Sequence, residues 1–335
     1  MAQAIWLKLL QLEPLVLPIE PRRSSSCGAR VMWKLWLASL LAASASGLRG
    51  RGLMYESGGH PHKTSTATAA TCGPFPGQQV VIATANKDFM PFFKNWLNFA
   101  GSFLTSSEQV VVIAEDAEVV PMLRSFLHTG ARTPFKIVNP FDNATVSVMR
   151  DRAPHFSSDF YNVDIQDTHP FDSNAYKAVV SQRPRRLRHF LEQNCSVLYA
   201  DLDTAWLKNP FDAISRAGDY EMYVTDDLKT PGQGLNSPYL CSCFLYMHPT
   251  SNVKAVISLW ESMLKGKTDY DQPFFNKAFQ KIRHRSPGFA VALPRKEFPP
   301  GCDVPDHPTV LHANWIIGEQ NKTKFLKEHG AWSLH

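Results

Sequence analysis

Short, uninterrupted runs of apolar and β-branched residues constrain this chain most. Residues 80–85 (Val-Val-Ile-Ala-Thr-Ala), 109–114 and 196–200 are too short for helices and lack the alternation of a half-exposed strand. Strands buried on both faces read this way. Between the first two, residues 89–99 carry Phe92, Phe93, Trp96, Leu97 and Phe99 on or near one helical face, and residues 117–127 form a second helical pattern. Residues 135–138 read as a third strand and 174–193 as one long helix interrupted at Pro184. Strands alternating with helices predict an α/β fold, a mostly parallel central sheet flanked by helices. No repeat or second break in composition divides the region, so residues 78–335 read as one catalytic domain.

The segments before it differ. Residues 31–48 hold an apolar core from Leu35 to about Ala45, with Arg30 and Lys34 ahead of it and Ala43-Ser44-Ala45 behind. That is short for a bilayer span of about 20 residues and suits a signal peptide or a short signal-anchor. Either one directs the rest of the chain into the secretory pathway, with membrane attachment through this segment if it stays uncleaved. Residues 1–30 read as a cytosolic tail or a non-native extension ahead of Met32. Residues 49–77, rich in Gly, Ser, Thr, His and Pro, read as a stem. Sequons at Asn143, Asn194 and Asn321 agree with a lumenal address, in the Golgi or endoplasmic reticulum. The six cysteines include no CxxC pair, which argues against a zinc ribbon, and leave room for one or two disulfides of unassigned pairing.

A net charge of +5 over 335 residues is mild. Much of it sits near the N-terminus and in the run from Arg183 to Arg188, so a site for one anionic ligand fits better than a nucleic-acid surface. The apolar run 196–200 leads straight into Asp201-Leu202-Asp203. At the carboxyl edge of an open α/β sheet, where ligands bind, two carboxylates offer hard oxygen ligands to Mg²⁺ or Mn²⁺ shared with substrate phosphates. If strand geometry continues, both carboxylates point the same way. Solvated loop carboxylates are the bland alternative. A phosphatase that uses Asp201 as nucleophile is another, although such motifs normally follow the first strand of their domain.

The surrounding block, Leu198-Tyr199-Ala200-Asp201-Leu202-Asp203-Thr204-Ala205-Trp206-Leu207-Lys208-Asn209-Pro210-Phe211, resembles nucleotide-diphospho-sugar transferases. The group most similar is glycosyltransferase family 77, which contains rhamnogalacturonan xylosyltransferases. The resemblance continues through residues 240–250, Asp271-Gln272-Pro273-Phe274-Phe275-Asn276, and His312-Ala313-Asn314-Trp315 with Gly318 and Lys322. It implies a GT-A fold and retaining transfer from a UDP-sugar to a glycan or glycoprotein acceptor, with Mn²⁺ (or Mg²⁺) as cofactor. The implied donor is UDP-xylose and the implied acceptor a deoxyhexose such as fucose. UDP-galactose or an arabinose donor fits the residues equally.

By the same resemblance Asp201, Asp203 and His312 are the metal ligands. Arg183 and Lys322 serve the phosphates, and Ala83, Thr84, Asn86, Asp201 and Leu202 lie on the nucleotide side. Asp271 and Gln272 stand near the anomeric carbon, where Asp271 is a nucleophile in a double displacement and needs no such role in a front-face substitution. A glycan at Asn321 would crowd a working Lys322, so those two readings compete. The Arg183–Arg188 run also reads as an exposed helix face. Cys241-Ser242-Cys243 reads as a tight apolar strand or as a source of disulfide partners. A non-catalytic lumenal protein that binds glycans or nucleotides is the remaining alternative.

Overall fold

The computed structural model describes residues 72, 79–105, 108–139, 172–228, 234–237, 239–301 and 303–334. The N-terminal segments, the sequon at Asn143, Cys27 and Cys302 lie outside them. Among the described residues no helix is long and apolar enough to cross a membrane.

Seven strands form the central sheet: β1 (Gln79–Ala85), β2 (Glu108–Ala114), β3 (Phe135–Val138), β4 (Ser196–Ala200), β6 (Met222–Asp226), β7 (Leu240–Met247) and β8 (Ala290–Ala292). Their order is β3-β2-β1-β4-β7-β6-β8. β1 to β4 run parallel, β7 runs antiparallel to both β4 and β6, and β8 is parallel to β6. The sheet is thus mostly parallel, with one reversed strand in the middle.

Both faces of β1 are buried, Val81, Ala83 and Ala85 against one core and Val80 and Ile82 against the other. This explains why the strand has no polar alternation. The helix Met90–Ala100 begins with Pro91, whose missing N–H costs nothing in a first turn, and buries Phe92, Phe93, Trp96 and Leu97. Trp96 meets Trp206 edge to face at 6.0 Å, tying this helix to a second, smaller sheet.

That sheet pairs β5 (Thr204–Trp206) with β9 (Val310–His312), antiparallel, with Thr204 opposite His312. It carries the C-terminal segment back to the end of β4. Gly301 permits the approach, since a Cβ there would come within 2.7 Å of the His312 carbonyl oxygen.

Two expectations need correction. The stretch 174–193 is two helices, Asn174–Ser181 and Arg183–Glu192. They part at Gln182, just ahead of the Arg183-Pro184 pair, because Pro184 has no N–H to continue the first helix's bonds and suits a new first turn. The basic run is no solvated face either. Arg183 and Arg186 are buried, and Arg185 and Arg188 both pair with Glu261.

Candidate active site

The Asp201 N–H donates to the Cys243 carbonyl at 2.8 Å, the last backbone bond between these strands. A turn comes next. The Thr204 N–H and Oγ both donate to the Asp201 carbonyl, at 3.2 and 2.7 Å. Strand geometry therefore ends before Asp203, and the turn, not a continuing pleat, aims the two carboxylates. Leu202 between them points into the core, 4% exposed.

The β5–β9 pairing then sets His312 beside Asp203. One ligand atom each from Asp201, Asp203 and His312 lie within 4.8 Å of one another. His312 Nε2 is 3.1 Å from Asp203 Oδ1, and Lys322 Nζ donates to Asp203 Oδ2. Burial alone would raise the Asp203 carboxyl, but Lys322 and His312 hold it well below the usual carboxylate range. Burial also works against charge on His312, yet the facing Asp203 carboxylate carries its net shift upward. Lys322 comes directly after Asn321 on the helix Glu319–Glu328, and successive helical residues point about 100° apart. Asn321 is exposed while Lys322 turns inward.

Arg183 is the second organiser. Its Nη2 donates to Asp201 at 3.1 Å, and its Nη1 donates to Asp271 at 2.8 Å and Ser242 Oγ at 2.7 Å. Its guanidinium lies 4.8 Å over the Tyr199 ring, and the Tyr199 hydroxyl donates to Asp201 at 2.7 Å. Asp271 opens the helix Asp271–Arg285, and burial pushes its carboxyl up against the pull of Arg183.

Gln272 faces a carboxylate that sequence reasoning missed. Asp227 stands just past β6 and accepts from Gln272 Nε2 at 3.0 Å, from Trp315 Nε1 at 3.1 Å and from Asn314 Nδ2. Burial raises it to about 6, with Gln272, His312 and Trp315 working the other way. Trp315 holds a φ of 63°, a left-handed conformation rare for a bulky residue, and its indole N–H reaches Asp227. Asp227, Asn314, Thr204, Cys241, Cys243 and His312 line one pocket. The apolar triplet Met222-Tyr223-Val224 running into Thr225-Asp226-Asp227 repeats the strand-then-acid pattern of Asp201. That was the signal available in the sequence.

The residues expected on the nucleotide side fare unevenly. β1 and β4 are parallel with Ile82 opposite Tyr199, so Ala83, Thr84 and Asn86 lie toward the same sheet edge as Asp201. Ala83 packs in the core and Thr84 is half-buried. Asn86 Oδ1 accepts from the Phe89 N–H at 2.9 Å, so that atom serves the entry to the next helix.

Residues 134–326 match the family of nucleotide-diphospho-sugar transferases. The chain is 26% identical over 284 residues to UDP-D-xylose:L-fucose alpha-1,3-D-xylosyltransferase 3 of Arabidopsis thaliana, a match covering 76% of this chain and 66% of that one. It is 26% identical over 283 residues to a second UDP-D-xylose:L-fucose alpha-1,3-D-xylosyltransferase of that plant, covering 76% and 69%. The chain thus spans about two thirds of the length of these relatives. Among solved structures, the galactosyltransferase LgtC with donor and acceptor sugar analogues aligns at a TM-score of 0.44 and 10% identity, covering 77% of this chain and 97% of that one. The apo form of mouse xyloside xylosyltransferase 1 aligns at 0.43 and 10%, covering 70% and 97%. The family match runs over more than half of the chain and takes in Asp201, Asp203, Asp271, His312 and Lys322, and on that ground the chain belongs to the nucleotide-diphospho-sugar transferases.

Proposed function

We propose that this chain is a metal-dependent, retaining glycosyltransferase that moves a sugar from a UDP-sugar to a glycan hydroxyl. The observation that carries this reading is the Asp201–Asp203–His312 cluster at the carboxyl edge of the sheet, in a chain of this family. Two carboxylates and an imidazole fit a hard or borderline divalent ion, Mn²⁺ or Mg²⁺. The cluster already draws Lys322 and Arg183 to its carboxylates, as a site built for positive charge would. When bound, such an ion supplies Lewis-acid neutralisation of a leaving diphosphate.

The protein's own residues do the rest. Asp203 stays ionised at neutral pH. Lys322 and Arg183 stand ready for the diphosphate charge, Lys322 as a point charge and Arg183 as a planar fork. Asp271 is 5% exposed and its carboxylate is engaged by Arg183, whereas a nucleophile must reach the anomeric carbon. This supports the front-face course, in which the leaving phosphate takes the acceptor proton, with Asp271 orienting Arg183. Gln272 and Asp227 then form the wall against which the sugar sits.

The names of the relatives support xylose as the donor sugar and fucose as the acceptor, with UDP-galactose or an arabinose donor as alternatives. The bridge between Cys72 and Cys195 supports an oxidising compartment, hence a Golgi or endoplasmic reticulum lumen, reached through residues 31–48 as signal or type II anchor. The test is UDP release by the purified chain across a panel of UDP-sugars, with Mn²⁺ or with EDTA. Mn²⁺-dependent release from one donor, lost in Asp203→Ala, is the expected result. No release and no UDP binding would overturn the reading.

A further inference from the structure

β7 carries an irregularity at the site. Val224 of β6 pairs with Leu245, but the next residue, Thr225, pairs with Cys241. One step along β6 therefore spans four along β7, and Ser242, Cys243 and Phe244 bulge out of that ladder. Cys241 and Cys243 are bridged across the bulge, with Cα atoms 5.2 Å apart. Ser242 between them accepts from Arg183 through both Oγ and its carbonyl. The bridge therefore clamps the residue that holds Arg183.

Both cysteines also line the pocket that contains His312. One ligand atom each from Cys241, Cys243 and His312 lie within 4.8 Å of one another, as do those of Asp201, Asp203 and His312. His312 is common to both sets. One set is hard, two carboxylates with an imidazole. The other, once its sulfurs are thiolates, is soft and matches the Cys₂His ligation of zinc. Disulfide sulfurs are poor ligands, so the second set exists only when the bridge is open.

We propose that Cys241, Cys243 and His312 form a soft-metal site that opens on reduction of the bridge, and that an ion there withdraws His312 from Asp203. Opening needs an external two-electron reductant. With a phosphine, R₃P + RS–SR + H₂O gives R₃P=O and two thiols. Zn²⁺ then displaces both thiol protons and binds two thiolates and the imidazole. The bridge closes a ring of three residues and so constrains the unfolded chain little, which lets the fold persist when it opens. The thiol site itself does not depend on the transferase reading; the loss of His312 from a working metal site does.

The test uses the full chain, reduced with a water-soluble phosphine, freed of reagent under nitrogen, and probed with Zn²⁺ and then iodoacetamide. Peptide mapping reads alkylation cysteine by cysteine. Zn²⁺ should slow alkylation of Cys241 and Cys243 by about tenfold or more while leaving Cys72 and Cys195 unprotected, because a thiolate held by metal is no longer a free nucleophile. Equal rates with and without Zn²⁺ at Cys241 and Cys243 would overturn the site. Co²⁺ in place of Zn²⁺ should give thiolate charge-transfer absorption in the reduced chain, absent from the bridged chain and from the Cys241→Ser/Cys243→Ser variant. Absorption that survives in the variant would equally overturn it. For the link to His312, Mn²⁺ binding is monitored by its electron spin resonance signal. One equivalent of Zn²⁺ should weaken Mn²⁺ binding in the reduced chain and leave the bridged chain unaffected; the same effect in both would overturn the sharing. If Mn²⁺ binds neither form, the transferase reading fails while the alkylation result still decides the soft site.

Discussion

The two halves of the central sheet are built on different logic. β1 to β4 form a regular parallel half whose residues go almost entirely into two apolar cores. β6, β7 and β8 form a half with a reversed strand, a bulge and a bridge within a Cys-Ser-Cys triplet. The first half supplies rigidity and one acidic turn at its edge. The second, with β9, supplies most of what surrounds that turn: Ser242, Asp227, Asp271 and His312. Regular packing carries the stability, and turns, bulges and short added strands carry most of the chemistry, because they aim side chains in directions that one continuous ladder would not.

The two bridges sharpen this contrast most. Cys72–Cys195 lies in the parallel half and closes a loop with a sequence separation of 123, whereas Cys241–Cys243 has a separation of 2. Chain-entropy reasoning gives the long bridge roughly 5 kcal/mol and the short one about 1.5 kcal/mol. Replacing both cysteines of the long bridge by serine should lower the denaturation midpoint steeply. The same change at Cys241 and Cys243 should lower it little, yet disturb the site through Ser242. Comparable losses of stability would break the division of labour.

Asp203→Asn removes the charge on which His312 and Lys322 converge. UDP release should fall by at least about 10²-fold, with the fold retained by circular dichroism. An active variant would remove the acidic turn's claim to the chemistry.

The parallel half also has an acid weakness. His189, on the buried side of Arg183–Glu192, has its pKa lowered from 6.5 to about 4 by burial. Gln193 Nε2 lies 2.7 Å from its Nε2, which must be unprotonated to accept. The unfolded chain takes up this proton near 6.5 and the folded chain only near 4. Acid therefore favours unfolding, and up to about 3 kcal/mol of stability should be lost as pH falls through that window. Chemical denaturation at several pH values reads this, and His189→Gln should flatten the slope.

The same division governs how much was legible in the sequence. β1 to β4 and the helix after β1 lie within a residue or so of where apolar runs place them, because burial on both faces writes itself into composition. The acidic turn was legible from the strand before it, though not its geometry, since Leu202 reverses into the core. β5 and β9 are three residues each, too short for any period. The role expected of His312 rested on resemblance; its place beside Asp203 comes from a pairing across a separation of 109 residues. Asp227 was not singled out at all, since its surroundings are built by Gln272, Asn314 and Trp315, from 45 to 88 residues away.

The most direct measurement is calorimetric titration of UDP into the full chain with Mn²⁺, with EDTA, and in His312→Ala. Binding should require Mn²⁺ and weaken by about tenfold or more when His312 is removed, although His312 lies far along the chain from the acidic turn. UDP binding of equal strength in EDTA, or undiminished in His312→Ala, would contradict the claim that Asp201, Asp203 and His312 hold a metal for the nucleotide.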